Sequence, residues 1–304
     1  MRTAFIQQLT EEARRNPAVF LVVGDLGFSV VESFAEEFPD RFLNVGVAEQ
    51  NMTGIAAGLA AEGFHVFTYS IGNFATLRCL EQIRNDVCYH GLSVTVVAVG
   101  AGMAYGNLGY SHHCIQDLGA MRGLPNIRIL APADPVETRL AVTSACVRGG
   151  PSYLRIGKAN ETRLHDSEPS FYPVMPLISG RGHTAICGTG AILSEAVVAS
   201  ATLKNRGVKC DVVSLVEPTA DHQLLQAALA AYNQVYVLEE HVAQGGIGEL
   251  VAAILPRTVS VHGIAVPASL AHQVGSQQFL RKAAGMDADS IVRRILSDHS
   301  NGAG

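Results

Sequence analysis

The residue whose position in this sequence most clearly suggests chemistry is Glu49. It lies in the segment FLNVGVAEQNMTGIAAGLAA, residues 42–61, which predicts a strand, a glycine turn and a helix. Glu49 falls in the first turn of that helix, where the helix dipole favours a negative charge. A single glutamate at a helix start is often simply solvated. The position alone therefore leaves a structural and a catalytic role open.

Two adjacent histidines, His112 and His113, end a glycine-rich segment, VGAGMAYGNLGYSHH, at residues 99–113. Neighbouring imidazoles could contribute to a metal site, but no third ligand is spaced to complete one. A histidine in such a loop is commonly part of the surface. The pair is a candidate site whose role the local sequence leaves open.

The helix that must position Glu49 is rich in small residues between Thr53 and Ala61. Gly54 and Gly58 each cost helix stability, by roughly 1 kcal/mol relative to alanine. A tight contact with another subunit would offset that cost. We therefore expect this helix to approach another backbone closely.

Short apolar segments alternate with segments of helical period along the chain. Such alternation indicates parallel sheets covered by helices on both faces. A polar, proline-containing stretch interrupts the pattern near residues 157–182, and we interpret it as a linker. The predicted fold is α/β with two domains, each a mainly parallel sheet flanked by helices, at residues 1–160 and 181–304, with the linker at 161–180. The predicted strands are 19–23, 65–69, 94–99, 127–130, 152–156, 184–188, 210–216, 234–240 and 258–264, and the predicted helices include 48–61, 74–89, 134–147, 192–205 and 221–231.

Composition excludes several classes of protein. Hydrophobic residues make up 48% of the chain and charged residues 16%, which is typical of a well-buried globular protein. The net charge of −5 and the lack of a basic run argue against a nucleic-acid surface. No apolar run is long enough to span a bilayer. The six cysteines have no C-x-x-C spacing, which favours reduced thiols and a cytoplasmic location.

Several motifs, taken in order, resemble the transketolase superfamily over nearly the whole chain. The segment at 42–61 is similar to the signature of the pyrimidine-binding domain. Segments resembling other parts of that domain and the family's C-terminal domain follow the same order, at 24–29 (GDLGFS), 74–97, 109–138, 150–160 and 238–255. The resemblance implies a thiamine diphosphate-binding pyrimidine domain followed by a transketolase C-terminal domain.

The resemblance assigns a catalytic role to Glu49. In the family, a glutamic acid shares a proton with the aminopyrimidine ring, which helps the cofactor to lose a proton from its thiazolium carbon. Such a carboxyl needs a dry site and a raised pKa. Phe74 matches the aromatic residue that stacks on the pyrimidine, although the alignment there allows a slip of one residue. Asp25 and Leu26 match the loop that lines the thiazolium side of the cofactor.

The same resemblance assigns the substrate side of the site. His112 matches a histidine that faces the reacting carbon and helps to move protons, and His113 replaces a glutamine of the family. Arg2, Ser29 and Lys158 match three positions that bind sugar phosphate. Lys158 stands where the family usually has arginine, so it can hold a phosphate only as a point charge.

One departure from the family concerns the cofactor's diphosphate. Thiamine diphosphate and its Mg²⁺ (or Ca²⁺) are normally held by a G-D-G…N motif in a preceding domain, which this sequence does not contain. We therefore expect a partner, an N-terminal transketolase subunit that carries the diphosphate-binding domain and the metal. A heterotetramer with two copies of each chain (α₂β₂), in which this chain also associates with itself, follows as an expectation.

A second departure concerns the substrate pocket. Gly100 stands where transketolases have a phosphate-binding histidine, and Leu108 stands where they have an aspartate that contacts a substrate hydroxyl. We expect a smaller and less polar pocket and an unusual sugar acceptor. The residues of the C-terminal domain, including Glu239, Glu240 and His241, are expected to be structural.

The leading hypothesis is the C-terminal subunit of a two-component transketolase, which moves a two-carbon ketol unit from a ketose to an aldose. The alternatives are the β subunit of a 2-oxo-acid dehydrogenase, an enzyme similar to deoxyxylulose-phosphate synthase, and a non-catalytic subunit that only binds a partner.

Overall fold

Two sheets, each covered by helices, form the chain. The computed structural model describes residues 1–301. The first sheet has six parallel strands in the order β2-β1-β3-β4-β6-β5. Its central strands are buried almost throughout because helices cover both faces, as is usual for parallel sheets. The strands are β1 (Val19–Val23), β2 (Phe42–Asn44), β3 (His65–Ile71), β4 (Val94–Val99), β5 (Arg128–Leu130) and β6 (Ser152–Ile156).

Seven helices belong to this first half of the chain within the described residues. Helices α3 and α7 begin within one residue of the predicted starts, and Asp134 caps α7 by accepting a hydrogen bond from the backbone N–H of Glu137 at 2.8 Å. The helices are α1 (Arg2–Arg15), α2 (Glu32–Glu37), α3 (Glu49–Ala61), α4 (Gly72–Ala75), α5 (Leu80–Gln82), α6 (Asp117–Arg122) and α7 (Pro135–Arg148).

The continuous helix predicted over 74–89 is divided into short pieces. Helix α4 ends at Ala75, and the backbone of Thr76 leaves helical geometry, with φ −112° and ψ −81°. The Thr76 hydroxyl donates to the carbonyl of Gly72 at 2.7 Å, which stabilises the break. A 3₁₀ turn, α5 and a π-helical turn at Ile83–Cys88 follow. Local helical period could not reveal this break.

The second sheet has the order β11-β10-β8-β9-β7, with four parallel strands and one antiparallel edge strand. That edge strand, β7, lies inside the segment 161–180 that we predicted as a linker. Its Pro176 is compatible with an edge strand but also hides the strand in the sequence. The strands are β7 (Val174–Ile178), β8 (Thr184–Gly188), β9 (Cys210–Leu215), β10 (Gln234–Val242) and β11 (Ser260–Val266), and the helices are α8 (Leu193–Asn205), α9 (His222–Leu229), α10 (Ile247–Ile254), α11 (Gln277–Ala283) and α12 (Ala288–Asn301).

Buried charges join the two halves of the chain. Arg155 of β6 donates to Asp117 Oδ2 at 2.6 Å and to the backbone carbonyls of Cys114 at 2.8 Å and Glu240 at 3.0 Å. Burial alone would raise the pKa of Asp117, but the Arg155 guanidinium holds it below its usual value. The Glu240 carboxylate in turn accepts two hydrogen bonds from Arg281, both at 3.0 Å. We call this set of buried hydrogen bonds the seam. It connects β6 and α6 with β10 and α11.

The predicted fold class, α/β with two domains and mainly parallel sheets, is confirmed. The exact domain boundaries stay predictions. Within residues 1–301, no helix combines the length and the apolarity needed to cross a membrane.

Candidate active site

Most of the candidate residues lie at the carboxyl ends of the strands in the first sheet. Parallel strands place these ends along one edge, so the loops after β1, β3, β4 and β6 meet there. Residues that are distant in sequence therefore become neighbours at this edge.

Glu49 is the first residue of α3 and is buried, with 2% of its surface exposed. Ser70 Oγ, near the end of β3, donates to Glu49 Oε1 at 3.2 Å. Arg78 Nη1 donates to the other oxygen, Oε2, at 2.7 Å. Gly24 leaves little spare room beside this group, since a methyl carbon there would lie 3.4 Å from Glu49 Cγ. The carboxylate is thus dry and held at both oxygens.

Arg78 links Phe74 of α4 to the Glu49 carboxylate, because its guanidinium contacts both. The Arg78 guanidinium carbon is 4.3 Å from the centre of the Phe74 ring, which is a cation–π contact. The ring of His112 meets Phe74 edge-on, with centroids 5.3 Å apart. The structure therefore brings Glu49, Phe74 and His112 into one cluster.

The histidine pair is held by its loop. The Asn73 amide donates to the carbonyls of Ser111 at 3.1 Å and His113 at 2.9 Å, which fixes the loop against α4. His112 Nδ1 lies 3.0 Å from Ser111 Oγ. Burial, together with the neighbouring His113, lowers the pKa of His112, so the imidazole is neutral at neutral pH. His113 is buried, and its Nε2 has no hydrogen-bond partner in the described part of the chain.

The loop after β1 carries Asp25, Leu26 and Ser29. Asp25 and Ser29 have φ of 56° and 63°, an unusual backbone for non-glycine residues. Asp25 is fixed by Asn44 at the end of β2, which donates to Asp25 Oδ1 at 3.0 Å and accepts from the Asp25 N–H at 3.1 Å. Leu26 is half-buried. These residues lie on the same sheet edge, but their hydrogen bonds do not run to Glu49.

Arg2 and Lys158 approach each other at this edge. Arg2 Nε donates to the carbonyl of Lys158 at 2.5 Å. Lys158 Nζ lies 5.1 Å from the centre of the Tyr105 ring, whose centroid is 6.4 Å from that of His112. Two cationic side chains therefore lie near Tyr105, which also approaches His112. Ser29 is not connected to this pair by a hydrogen bond within residues 1–301.

Sequence reasoning did not single out Arg78, Ser70 or Tyr105. The four-residue spacing of Arg78 from Phe74 would predict a contact on one face of a continuous helix, but α4 ends at Ala75 and the contact forms across the turn that follows. Tyr105 fills the space that a side chain at Gly100 would need. Only the fold reveals that Tyr105 occupies the space at Gly100, because nothing in the local sequence links the two positions.

The cluster around Glu49 also has the shape and polarity of part of a cofactor site. A flat group bearing N–H donors, the Arg78 guanidinium, fits between the Phe74 ring and the Glu49 carboxylate. An aminopyrimidine is likewise flat and carries an N–H donor, so these residues fit that part of thiamine diphosphate.

Among residues 1–301 there is no group of three or more His, Cys, Asp or Glu side chains placed to hold a metal ion.

Comparisons with known proteins find matches along nearly the whole chain. The family model of the transketolase pyrimidine binding domain matches residues 1–162, and that of the transketolase C-terminal domain matches residues 177–291. The chain is 36% identical over 276 residues to a subunit of the apulose-4-phosphate transketolase of Actinobacillus succinogenes, covering 88% of each chain. It is 30% identical to the 6-deoxy-6-sulfo-D-fructose transketolase subunit SqwH of a Clostridium species, covering 96% of this chain and 92% of that protein.

A solved structure described as a split gene transketolase, an inactive β₄ tetramer, superposes with a TM-score of 0.85 and 32% identity, covering 97% of this chain and 96% of that one.

Proposed function

Since this chain belongs to the transketolase family, we propose that it is the C-terminal subunit of a two-component transketolase, the half that holds the aminopyrimidine of thiamine diphosphate. The reaction transfers a two-carbon ketol unit from a ketose donor to an aldose acceptor. The observation that carries the proposal is the buried Glu49 carboxyl beside Phe74, with His112 against the same ring.

Thiamine diphosphate, when bound, supplies the nucleophilic carbon that takes up the two-carbon unit. Glu49 holds and shares a proton with the pyrimidine ring from a dry site, where such a bond is strong. Phe74 supplies the flat face that orients the ring. Asp25 and Leu26 line the neighbouring side of the cofactor. These roles stay proposals for the assembled enzyme.

His112 is the proposed acid–base group for the substrate. Its lowered pKa keeps the imidazole neutral at neutral pH, so it can accept a proton from a substrate hydroxyl. His113 adjoins His112, but its side chain is buried, so a direct contact of His113 with the substrate stays a prediction. Because the ring of His112 packs against Phe74, the proton acceptor is held close to the proposed cofactor face.

We propose that Arg2 and Lys158, with Ser29 on the β1 loop, bind an anionic end of the sugar. Two relatives are named for a phosphorylated and for a sulfonated sugar, and both groups are compatible with two cations. Tyr105 fills the space above Gly100, and Leu108 is exposed, so the pocket offers fewer polar contacts than a histidine and an aspartate would. This supports a compact acceptor.

The proposed partner is an N-terminal transketolase subunit with the diphosphate-binding domain and the bound Mg²⁺ or Ca²⁺. The likeness to a split-gene transketolase that forms an inactive β₄ tetramer supports both a separate partner and self-association of this chain, and we propose an α₂β₂ heterotetramer. A cytoplasmic location is proposed from the six cysteines, which are free in the structure.

The test combines this chain with a candidate partner and assays ketol transfer with hydroxypyruvate, ketose phosphates, pyruvate and branched 2-oxo acids. We expect turnover with the ketol donors and a loss of roughly 100-fold or more in kcat for Glu49→Gln, since a positioned acid–base group contributes about that factor. Glu62→Gln, at an exposed glutamate after α3, is the matched control.

Equal turnover by Glu49→Gln would contradict the catalytic role and favour a non-catalytic subunit. Preference for pyruvate would favour a synthase of deoxyxylulose phosphate, and preference for branched 2-oxo acids a dehydrogenase β subunit. We also expect the isolated chain to bind thiamine diphosphate weakly or not at all, even with Mg²⁺. Tight Mg²⁺-dependent binding by the isolated chain would contradict the need for a partner.

A further inference from the structure

Arg78 makes two contacts that define where its guanidinium lies. It donates to Glu49 Oε2 at 2.7 Å and lies 4.3 Å above the Phe74 ring. The side chain thus bridges the flat aromatic face and the buried carboxylate. These are the two groups that the proposed function gives to the cofactor's aminopyrimidine.

We propose that Arg78 occupies the aminopyrimidine position in the free subunit and must leave it before thiamine diphosphate binds. This inference rests on the proposed function. A guanidinium and an aminopyrimidine are both flat and both donate N–H groups, so both can stack on Phe74 and bond to Glu49. They cannot do so at one place at the same time.

Arg78 is free to leave, because its side chain is 44% exposed although its partner is only 2% exposed. Its long side chain can swing into solvent without moving the backbone of the 3₁₀ turn that carries it. A half-exposed ion pair and a cation–π contact are weak enough to be replaced by a bound ligand.

The departure of Arg78 would also favour binding of the cofactor to the Glu49 carboxyl. While Arg78 is in place, the Glu49 carboxylate has a cation for its negative charge. Once Arg78 leaves, the Ser70 hydroxyl is the one donor left to the Glu49 carboxylate in the described part of the chain, and a buried carboxylate without a cation is costly. A ligand that brings its own hydrogen bonds and shares a proton is the partner that relieves this cost.

The experiment measures thiamine diphosphate binding by calorimetry, with Mg²⁺, to the complex of this chain with its partner subunit. We expect Arg78→Gln to lower the Kd roughly fivefold, the order expected when one exposed ion pair and one cation–π contact need not be broken first. Arg84→Gln is the matched control, because Arg84 is exposed and, within residues 1–301, its side chain donates only to its neighbour Asn85, at 2.7 Å. Unchanged or weaker binding by Arg78→Gln overturns the inference.

A second measurement separates this inference from the proposed function. In the free chain, a double-mutant cycle of Glu49→Gln and Arg78→Gln on unfolding stability should show coupling between the two residues. Coupling without any cofactor binding by the wild-type complex would overturn the proposed function, and the inference with it. Cofactor binding by the complex without coupling in the free chain would overturn the inference alone.

Discussion

At Glu49, each carboxylate oxygen has its own hydrogen-bond donor, and the two donors differ in exposure. Ser70 is buried on a central strand, whereas Arg78 reaches in from an exposed turn. One oxygen therefore has a buried partner and the other, on our proposal, a partner that the cofactor replaces. A carboxyl that must bind a cofactor after folding benefits from this asymmetry, because it is never left bare while the site is empty.

Motifs in the sequence predicted Glu49, Phe74 and His112 as site residues, and the structure places the three side chains in one cluster, while their roles stay predictions. Arg78 could not be predicted in the same way. Its partner lies 29 positions earlier in the sequence, and their contact depends on where α3 and the turn after α4 meet. Asp25, Leu26, Ser29 and the other proposed binding residues stay predictions.

His65 provides a prediction about pH and stability. Its ring is buried on β3, stacks on Phe67 and hydrogen-bonds Thr95 at 3.0 Å. Burial lowers the pKa of His65 from 6.5 to about 4. Between these values the unfolded chain binds a proton that the folded chain does not. This contribution to stability is full above pH 6.5 and is lost as the pH falls towards 4, by about 3 kcal/mol.

Urea unfolding at several pH values checks this expectation by comparing wild type with His65→Gln, which should lose less stability on acidification. His90→Gln, at an exposed histidine, should follow wild type. Parallel pH curves for wild type and His65→Gln would show that His65 does not titrate in this way.

At the scale of elements, the buried strands were predictable because β-branched runs and helical period are local signals. The break in the helix predicted over 74–89 was not, because it depends on the bond from the Thr76 hydroxyl to Gly72. Strand β7 was hidden by Pro176 and by its polar surroundings. Strand β7 is set instead by its antiparallel pairing with β9, which is distant in sequence.

Helix α3 provides a prediction about association. Gly54 and Gly58 are exposed, and no heavy atom of the described chain lies within 4 Å of a methyl group built at either position. Replacing both by alanine should raise the stability of the unassociated chain by about 1–2 kcal/mol, since glycine is a poor helix former. If α3 approaches another backbone, the added methyl groups should weaken self-association about tenfold or more.

Sedimentation velocity over a range of concentrations measures the association, and urea unfolding measures the stability. Val198→Ala in α8, a helix of the same length of 13 residues, is the control for a change in helix propensity, because Val198 is uncharged and 55% exposed. Unchanged association of the Gly54→Ala and Gly58→Ala chain would place the subunit contact elsewhere.

At the scale of the whole molecule, the seam between the two sheets is the feature with the largest expected effect on stability. Arg155→Gln should lower the free energy of unfolding by about 3–5 kcal/mol, because it leaves Asp117 buried without its cation. Urea unfolding checks the value. Arg257→Gln, at an exposed arginine, should change stability by less than about 0.5 kcal/mol.

The double variant Asp117→Asn and Arg155→Gln should lose less than the sum of the two single changes, since the double change leaves no unpaired buried charge behind. Strictly additive losses would mean that the pair does not stabilise the seam as a unit.

Arg155 also constrains how this protein can be recombined with its relatives. Its guanidinium binds one backbone carbonyl in each half of the chain, at Cys114 and at Glu240. A chimera that joins the first half of this protein to the second half of another must therefore supply a carbonyl at the same place. Crossovers that carry β10 and α11 together with β6 and α6 should fold, whereas crossovers that divide this set leave Arg155 paired with Asp117 and Cys114 but should disturb its hydrogen bond to the carbonyl of Glu240.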